Sequence, residues 1–371
     1  GTTGNPKGIM LTQKNYYSNS VDSANYFQIA HHLRMLNILP IDHSFAHTVA
    51  IYTSLVVALE IYFLDSRGGP KSALKNILPN MREVKPNIML TVPALSGNFM
   101  ANIQRTIDKK GGFAKWLFDK GVAAGEAYNG NGYNTVPAGV RSRNAFFYKL
   151  ADKLVFKKVR ESFGGELQYC VGGGALLDIR QQRFFYAIGI PIYQGYGLTE
   201  AAPIISANHP RIHKLGSSGK VLPTIEYKIM DADGKELPLG TKGELVIRGN
   251  NVMKGYFKNK EASEKSIRGE WLYTEDLAYV DNDGFLIVVG REKALLISQD
   301  GEKYSPEEIE EAVTTISKMV NQVMVYNDHE KYTTALITLS KENVEQYVKK
   351  NSITDASVLL EAIKQSFYSF R

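Results

Sequence analysis

Two short segments of the 371-residue sequence carry the residue types that phosphate chemistry needs. The first, Gly1-Thr2-Thr3-Gly4-Asn5-Pro6-Lys7-Gly8, joins three glycines, two threonine hydroxyls and a lysine. Such a loop can wrap backbone N–H groups and one cation around a polyphosphate. It is not a Walker A loop, in which the lysine directly precedes Ser or Thr; Lys7 stands between Pro6 and Gly8. Glycine and proline alone also build a plain turn, and that alternative stays open. The second segment, Gln194-Gly195-Tyr196-Gly197-Leu198-Thr199-Glu200, places a ring, a hydroxyl and a carboxylate on a glycine-flanked turn after a strand. A ring stacks on a purine, a hydroxyl bonds a phosphate, and a carboxylate holds Mg2+ across phosphate oxygens. A tight turn with a capping Thr-Glu is the structural alternative.

These segments need a scaffold. Ile38 to Phe63, interrupted by Asp42-His43-Ser44, and Asn87 to Val92 before Pro93 read as buried strands joined through helices. The pattern recurs at Leu167 to Val171 before Gly172-Gly173-Gly174, and at Pro191 to Tyr193 before Gln194. Repeated strand-to-glycine turns predict an α/β fold whose parallel sheet binds a ligand at the carboxyl ends of its strands. Residues 101–165 read as a helical, basic insertion, with a polar gap at Asn129 to Asn134. After Gly216 the period shortens, and the turns Asp231-Ala232-Asp233-Gly234 and Asp281-Asn282-Asp283-Gly284 predict a β-rich subdomain over 216–289. The expected organisation is a large domain over 1–290 and a small α+β domain over 291–371. In the latter, a helix from Pro306 to Ser317 has Ser305 as its cap and Glu308 completing a capping box, and strands follow at Gln322 to Tyr326 and Thr333 to Leu339.

Composition agrees with packed cores: 44% of residues are hydrophobic and 22% charged, and the length calls for two or more domains. The net charge of +6 comes from 44 basic and 38 acidic residues with no single dense basic run, so no nucleic-acid stripe is read. Cys170 stands alone, which excludes an internal disulfide and suits a buried, inert thiol. No apolar run approaches the ~20 residues of a membrane-spanning helix, and no signal peptide opens the chain. The expected location is cytoplasmic or at a membrane surface, with oligomeric state left open. Because the chain opens on Gly1 directly at a complete-looking loop, and closes in an amphipathic-looking stretch at Ser366 to Arg371, it reads as a fragment.

The two segments resemble the phosphate loop and the Tyr-Gly-x-Thr-Glu motif of the adenylate-forming superfamily: acyl-CoA synthetases, luciferases and peptide-synthetase adenylation domains. Further motifs follow in the family's order. They are Gly172-Gly173-Gly174-Ala175-Leu176; Lys242-Gly243-Glu244-Leu245-Val246-Ile247-Arg248-Gly249 with Met253-Lys254-Gly255-Tyr256; Trp271-Leu272-Tyr273-Thr274-Glu275-Asp276; and Gly290-Arg291-Glu292-Lys293. The resemblance covers essentially the whole chain. It implies nucleotide contacts from Thr2, Thr3, Gly4, Gly173, Gly174, Ala175, Gln194, Gly195, Tyr196, Gly197, Thr199, Asp276 and Arg291, with Tyr196 on the adenine and Asp276 and Arg291 on the ribose. It gives catalytic roles to Lys7, Thr199, Glu200 and Arg291, Glu200 being the Mg2+ ligand. Two positions depart from the family pattern. Glu275 stands where Gly is usual, which makes the placement of Asp276 less secure, and Ala294 stands where a hinge Asp or Lys is common.

Leu39-Pro40-Ile41-Asp42-His43-Ser44-Phe45 resembles the family's acyl-side motif, which implies that His43 and Phe45 line the carboxylate pocket; a structural histidine is the alternative for His43. Lys115-Trp116-Leu117-Phe118, Asp152-Lys153-Leu154-Val155-Phe156 and the run Ser298 to Pro306 are similar to bacterial long-chain fatty acid–CoA ligases, although the insertion could be a surface elaboration. The implied reaction takes ATP, Mg2+ and a long-chain fatty acid to acyl-AMP, then passes the acyl group to coenzyme A after the small domain rotates. An aryl- or amino-acid-activating relative and a noncatalytic acyl or nucleotide binder remain alternatives. The family also uses a lysine near the end of the small domain. Lys349, Lys350 and Lys364 lack its surrounding pattern, so the chain by itself is expected to be weakly active or inactive.

Overall fold

The computed structural model describes residues 7–291, 295–300, 303–304, 306–317 and 319–367. The chain divides into two compact units, Gly1–Thr274 with Ala278–Val288, and Glu275–Leu277 with Val289–Arg371.

The first unit is built on a seven-stranded sheet in the spatial order Glu60–Phe63, Arg34–Asn37, Ile88–Thr91, Tyr169–Gly172, Ile192–Gly197, Ile204–Ala207, Lys220–Val221. The first five strands are parallel and the last two pairings antiparallel. Ile88–Thr91 and Tyr169–Gly172 are buried at every position, as a sheet covered on both faces requires. Alternate side chains separate the two faces. Ile88, Leu90, Tyr169 and Val171 join one core, while Met89 and Cys170 join the other. Burial pushes the Cys170 thiol up to about 12, which keeps it protonated and unreactive.

Ile38 to Phe63 is mostly not strand, contrary to the expectation from its apolar runs. Ser44–Ala46, His47–Thr53 and Ser54–Val57 form one continuous helical stretch with a π-helical middle, and only Glu60–Phe63 pairs, at the sheet edge. Its buried positions 46, 49, 50, 53, 54 and 57 recur every three to four residues, with Ser44 and Thr48 buried as well. Small and hydroxyl side chains fill most of that face, while the more hydrophobic Leu55 and Val56 are exposed, so apolarity alone misreads the period.

The helical segment begins before its expected boundary, at Pro93, and runs through Pro93–Lys110, Gly112–Asn129, Ala138–Ala151 and Lys157–Ser162, with a π-helical turn at Asp152–Phe156. It is no surface elaboration. Ile103, Ile107, Leu117, Phe118, Val155 and Phe156 are buried in the core that also receives Met89, Cys170 and Ile192 from the sheet.

A second sheet orders Ile267–Arg268, Trp271–Val280, Gly243–Arg248 and Glu226–Met230, with Leu286–Arg291 also on Trp271–Val280. Burial along Trp271–Val280 alternates strictly, the signature of a strand with one face covered. The turn at Asp281 is held by its carboxylate, which accepts from the backbone N–H of Asp283 and Phe285 and from Lys214 Nζ at 2.6 Å. The second unit contains the helices Pro306–Ile316, Lys341–Asn351 and Ala356–Phe367 and the antiparallel pair Val320–Tyr326 with Thr334–Leu339. Ser305, the expected helix cap, lies outside the described residues.

His209 is 3% exposed against the rings of Tyr26 and Phe27, and its Nδ1 has no hydrogen-bond partner. Burial, with help from Arg211, lowers its pKa from 6.5 to about 4. A lowered histidine pKa means that the unfolded chain takes the proton first. The associated stability is therefore complete above pH 6.5 and is lost progressively as pH falls from 6.5 toward 4. Urea midpoints measured across that window are expected to fall less steeply in His209→Gln than in the unaltered protein; identical slopes would assign the loss to other groups.

Candidate nucleotide and acyl site

The strand Ile192–Gly197 rises out of the core, buried at its first three residues and increasingly open after them. Gln194 to Gly197 are thus strand residues, not the turn the sequence suggested; the turn follows, as a single 3-10 turn at Thr199–Ala201. A Cβ on Gly197 would stand 2.1 Å from the Pro203 carbonyl oxygen, so only glycine allows the chain to fold back here. Leu198 N–H donates to that same oxygen at 2.9 Å.

Gln194 is buried and its side-chain amide is fully occupied within the protein. Its Oε1 accepts from Leu177 N–H at 3.1 Å, and its Nε2 donates to the carbonyls of Ala175 and Gly195. It ties the glycine turn to the neighbouring strand. Gly173 is buried in that turn, Gly174 and Ala175 are exposed, and the Phe45 ring lies 3.1 Å from where a Gly173 Cβ would be. The expected acyl-side phenylalanine and the glycine turn expected to contact the nucleotide are thereby brought together. His43 is exposed and caps the short helix Ser44–Ala46, its Nδ1 accepting from Phe45 N–H at 3.2 Å. Tyr196 is half-buried against the first core.

Thr199 and Glu200 face two groups that were not singled out as site residues. The Ser44 and Thr199 hydroxyls lie 3.1 Å apart, and Tyr256 OH donates to Glu200 Oε1 at 3.0 Å. Tyr256 is held in turn by the pairing of Ile9–Met10 with Gly255–Tyr256, and Phe257 N–H donates to Gly8 O at 2.6 Å. This pairing brings Lys7 Nζ to 4.8 Å from the Tyr256 ring centroid, a cation–π distance. Lys7, Tyr256 and Glu200 therefore form one contiguous arrangement with Thr199 and Ser44 beside it. Tyr256 was visible as part of a motif, but nothing in the sequence joins it to Glu200. Thr2, Thr3 and Gly4 lie outside the described residues.

Among the described residues, no three His, Cys, Asp or Glu side chains cluster as a protein-built metal cage. Glu200 suits a different mode, since Mg2+ commonly takes one or two carboxylates and completes its shell with phosphates and water. One oxygen of Glu200 accepts from Tyr256, and a carboxylate has capacity beyond that.

In the second unit, Asp276 has a side chain 6% exposed and accepts from Arg291 Nε at 3.1 Å, while Arg291 is half-exposed. The carboxylate lies within a strand, so it is not a hairpin-turn residue. Glu275, standing where the family usually has Gly, has φ +59°. The backbone keeps the left-handed conformation that glycine favours, and the departure is one of side chain only.

A family model described as AMP-binding enzyme matches residues 1–257, and another, AMP-binding enzyme C-terminal domain, matches 293–370. The chain belongs to the AMP-binding enzyme family. Long-chain-fatty-acid–CoA ligase FadD15 of Mycobacterium bovis is 30% identical over 360 residues, covering 95% of this chain and 55% of that protein. Long-chain-fatty-acid–CoA ligase ACSBG1 of Rattus norvegicus is 30% identical over 367 residues, covering 96% and 48%. The chain thus spans about half the length of these curated relatives. Among solved structures, O-succinylbenzoate coenzyme A synthetase of Bacillus subtilis in complex with ATP and magnesium ion is similar at TM-score 0.66 and 25% identity, covering 94% of this chain and 62% of that one. These likenesses agree with the adenylate-forming resemblance and with an α/β fold of large and small parts.

A left-handed non-glycine residue costs about 1 kcal/mol, and more when the side chain is β-branched. Glu275→Val is therefore expected to be less stable than Glu275→Gly by about 1–2 kcal/mol. Equal destabilisation by both would show that the Glu275 side chain, not its backbone, matters.

Proposed function

We propose that this chain carries the adenylating chemistry of a long-chain fatty acid–CoA ligase, which activates a fatty acid carboxylate with ATP and passes the acyl group to coenzyme A. The observation that supports this most directly is the grouping of Lys7, Tyr256, Glu200, Thr199 and Ser44. It sets a cation, hydroxyls and a carboxylate at the end of a parallel sheet. Long-chain specificity is supported by the likeness, at 30% identity, to curated long-chain fatty acid–CoA ligases. The similar solved structure is an O-succinylbenzoate coenzyme A synthetase, so an acid panel must include aromatic acids.

In this reading Lys7 offsets phosphate charge, Thr199 hydrogen-bonds a phosphate oxygen, and Tyr256 holds Glu200 in one orientation. A magnesium ion bound at Glu200 would neutralise charge on the triphosphate. Phe45, packed on Gly173, forms a wall between the acyl and nucleotide sides. Asp276 and Arg291 are proposed to hold the ribose hydroxyls, and Tyr196 the adenine.

The test is acyl-CoA formation by the full-length enzyme that carries this chain, with ATP, Mg2+, coenzyme A and acids from acetate to stearate, benzoate included. Preference for long chains is the expected outcome; activity on aromatic acids alone would sink the fatty acid reading and keep the adenylation. Glu200→Gln is expected to lower the rate of adenylate formation by about 10²–10³-fold. Tyr256→Phe, which loses one hydrogen bond to a charged group, should cost about tenfold and raise the Mg2+ concentration needed for half-maximal rate. An unchanged Mg2+ dependence in Tyr256→Phe would deny Tyr256 its positioning role.

A further inference from the structure

The positive charge of this protein has an address. Residues 101–165 hold twelve Lys and Arg against five Asp and Glu, whereas the whole chain holds 44 against 38; the rest of the molecule is close to neutral. Three of those five acids are already engaged with cations of the same segment. Asp108 and Asp119 both meet Lys115, at 2.7 and 3.1 Å, and Asp152 meets Arg160 at 2.6 Å.

On this segment lies a row of aromatic rings that bridges the helices Gly112–Asn129 and Ala138–Ala151. Phe113 stacks on Trp116 at 5.6 Å, Trp116 meets Phe147 edge-on at 5.8 Å, and Phe147 meets Phe146 at 5.3 Å. The ends of the row are open to solvent: Phe113 is 63% exposed, Phe146 67% and Trp116 45%. One or two helical turns beyond Phe146 come Lys149, Lys153 and the 43% exposed Leu154; one turn beyond Trp116 comes Lys120. Leu117 and Phe118 are buried, so the exposed rings are the outer face of well-anchored helices.

We propose that this face docks on the surface of an anionic lipid bilayer. Large apolar side chains ringed by lysines match the headgroup boundary, where rings enter the acyl edge and ammonium groups stay with lipid phosphates. A second copy of the chain would oppose cations to cations. A nucleic acid would suit the charge, but the rings are engaged with one another, one pair stacked and two edge-on, and Leu154 has no π face for a base. The inference stands apart from the proposed enzymatic reading, since it uses none of the site residues.

The test is sedimentation of the protein with vesicles of phosphatidylcholine alone and of phosphatidylcholine mixed with phosphatidylglycerol. Binding is expected to the mixed vesicles, weakening with salt, and little to the neutral ones. Phe113→Ser with Phe146→Ser, and separately Lys149→Glu with Lys153→Glu, should each reduce binding at least about tenfold. All four positions are exposed, and an unchanged thermal midpoint would verify folding. The chain has two tryptophans, so Trp271→Phe leaves Trp116 as the sole reporter; its emission should shift to the blue on mixed vesicles and be quenched by brominated lipid. Absence of binding to mixed vesicles, binding undiminished in both double variants, an unmoved Trp116 emission, or capture of single-stranded DNA in place of vesicles would each overturn the proposal.

Discussion

The close approach of Gly197 to the Pro203 carbonyl is the constraint from which the rest of the site follows. No side chain fits between them, so the chain leaves the strand, makes one 3-10 turn and returns as Ile204–Ala207 beside the strand it came from. Thr199 and Glu200 are the residues caught in that turn. Their direction is then set by what meets the turn: Ser44 on one side, and on the other Asn251, whose amide donates to Ala201 O at 2.9 Å, with Met253 N–H donating to Glu200 O. A carboxylate placed by its own backbone carbonyl and by Tyr256 has little rotational freedom, which is what an oriented ligand requires.

The turn is also where distant parts of the chain meet. The helix Gln13–Phe27 contributes two buried asparagines. Asn15 donates to the carbonyls of Asn250 and Val252, and Asn19 exchanges two hydrogen bonds with the backbone of Ile204. Buried amides left unpaired would each cost about 1–3 kcal/mol, so these residues pin the N-terminal helix to both sides of the site. The positions of Lys7 and Tyr256 are consequently coupled to the same polar contacts that hold Glu200.

What could be read from the sequence divides along physical lines. Strands buried on both faces, such as Ile88–Thr91, are short apolar runs closed by Gly or Pro, and these signals are local. The helical stretch after His43 was misread because its buried face is small and hydroxyl-bearing, while Leu55 and Val56 face water. Tyr256 and Ser44 were missed as site residues because their significance lies in contacts with Glu200 and Thr199, 56 and 155 positions away. Gln194 carries a second role that its motif does not show: its side-chain amide also holds the glycine turn.

The contact between Asp276 and Arg291 serves the fold in its own right. An unpaired carboxylate as buried as Asp276 would be costly, and Arg291 Nε offsets that cost. Glu275, just before Asp276 in the strand Trp271–Val280, has a left-handed backbone, the conformation that glycine favours. A departure from a family motif therefore bears on function only when it changes the backbone path or the charge presented to the ligand. At Glu275 the backbone is one that glycine would also adopt, and the consequence to look for is electrostatic.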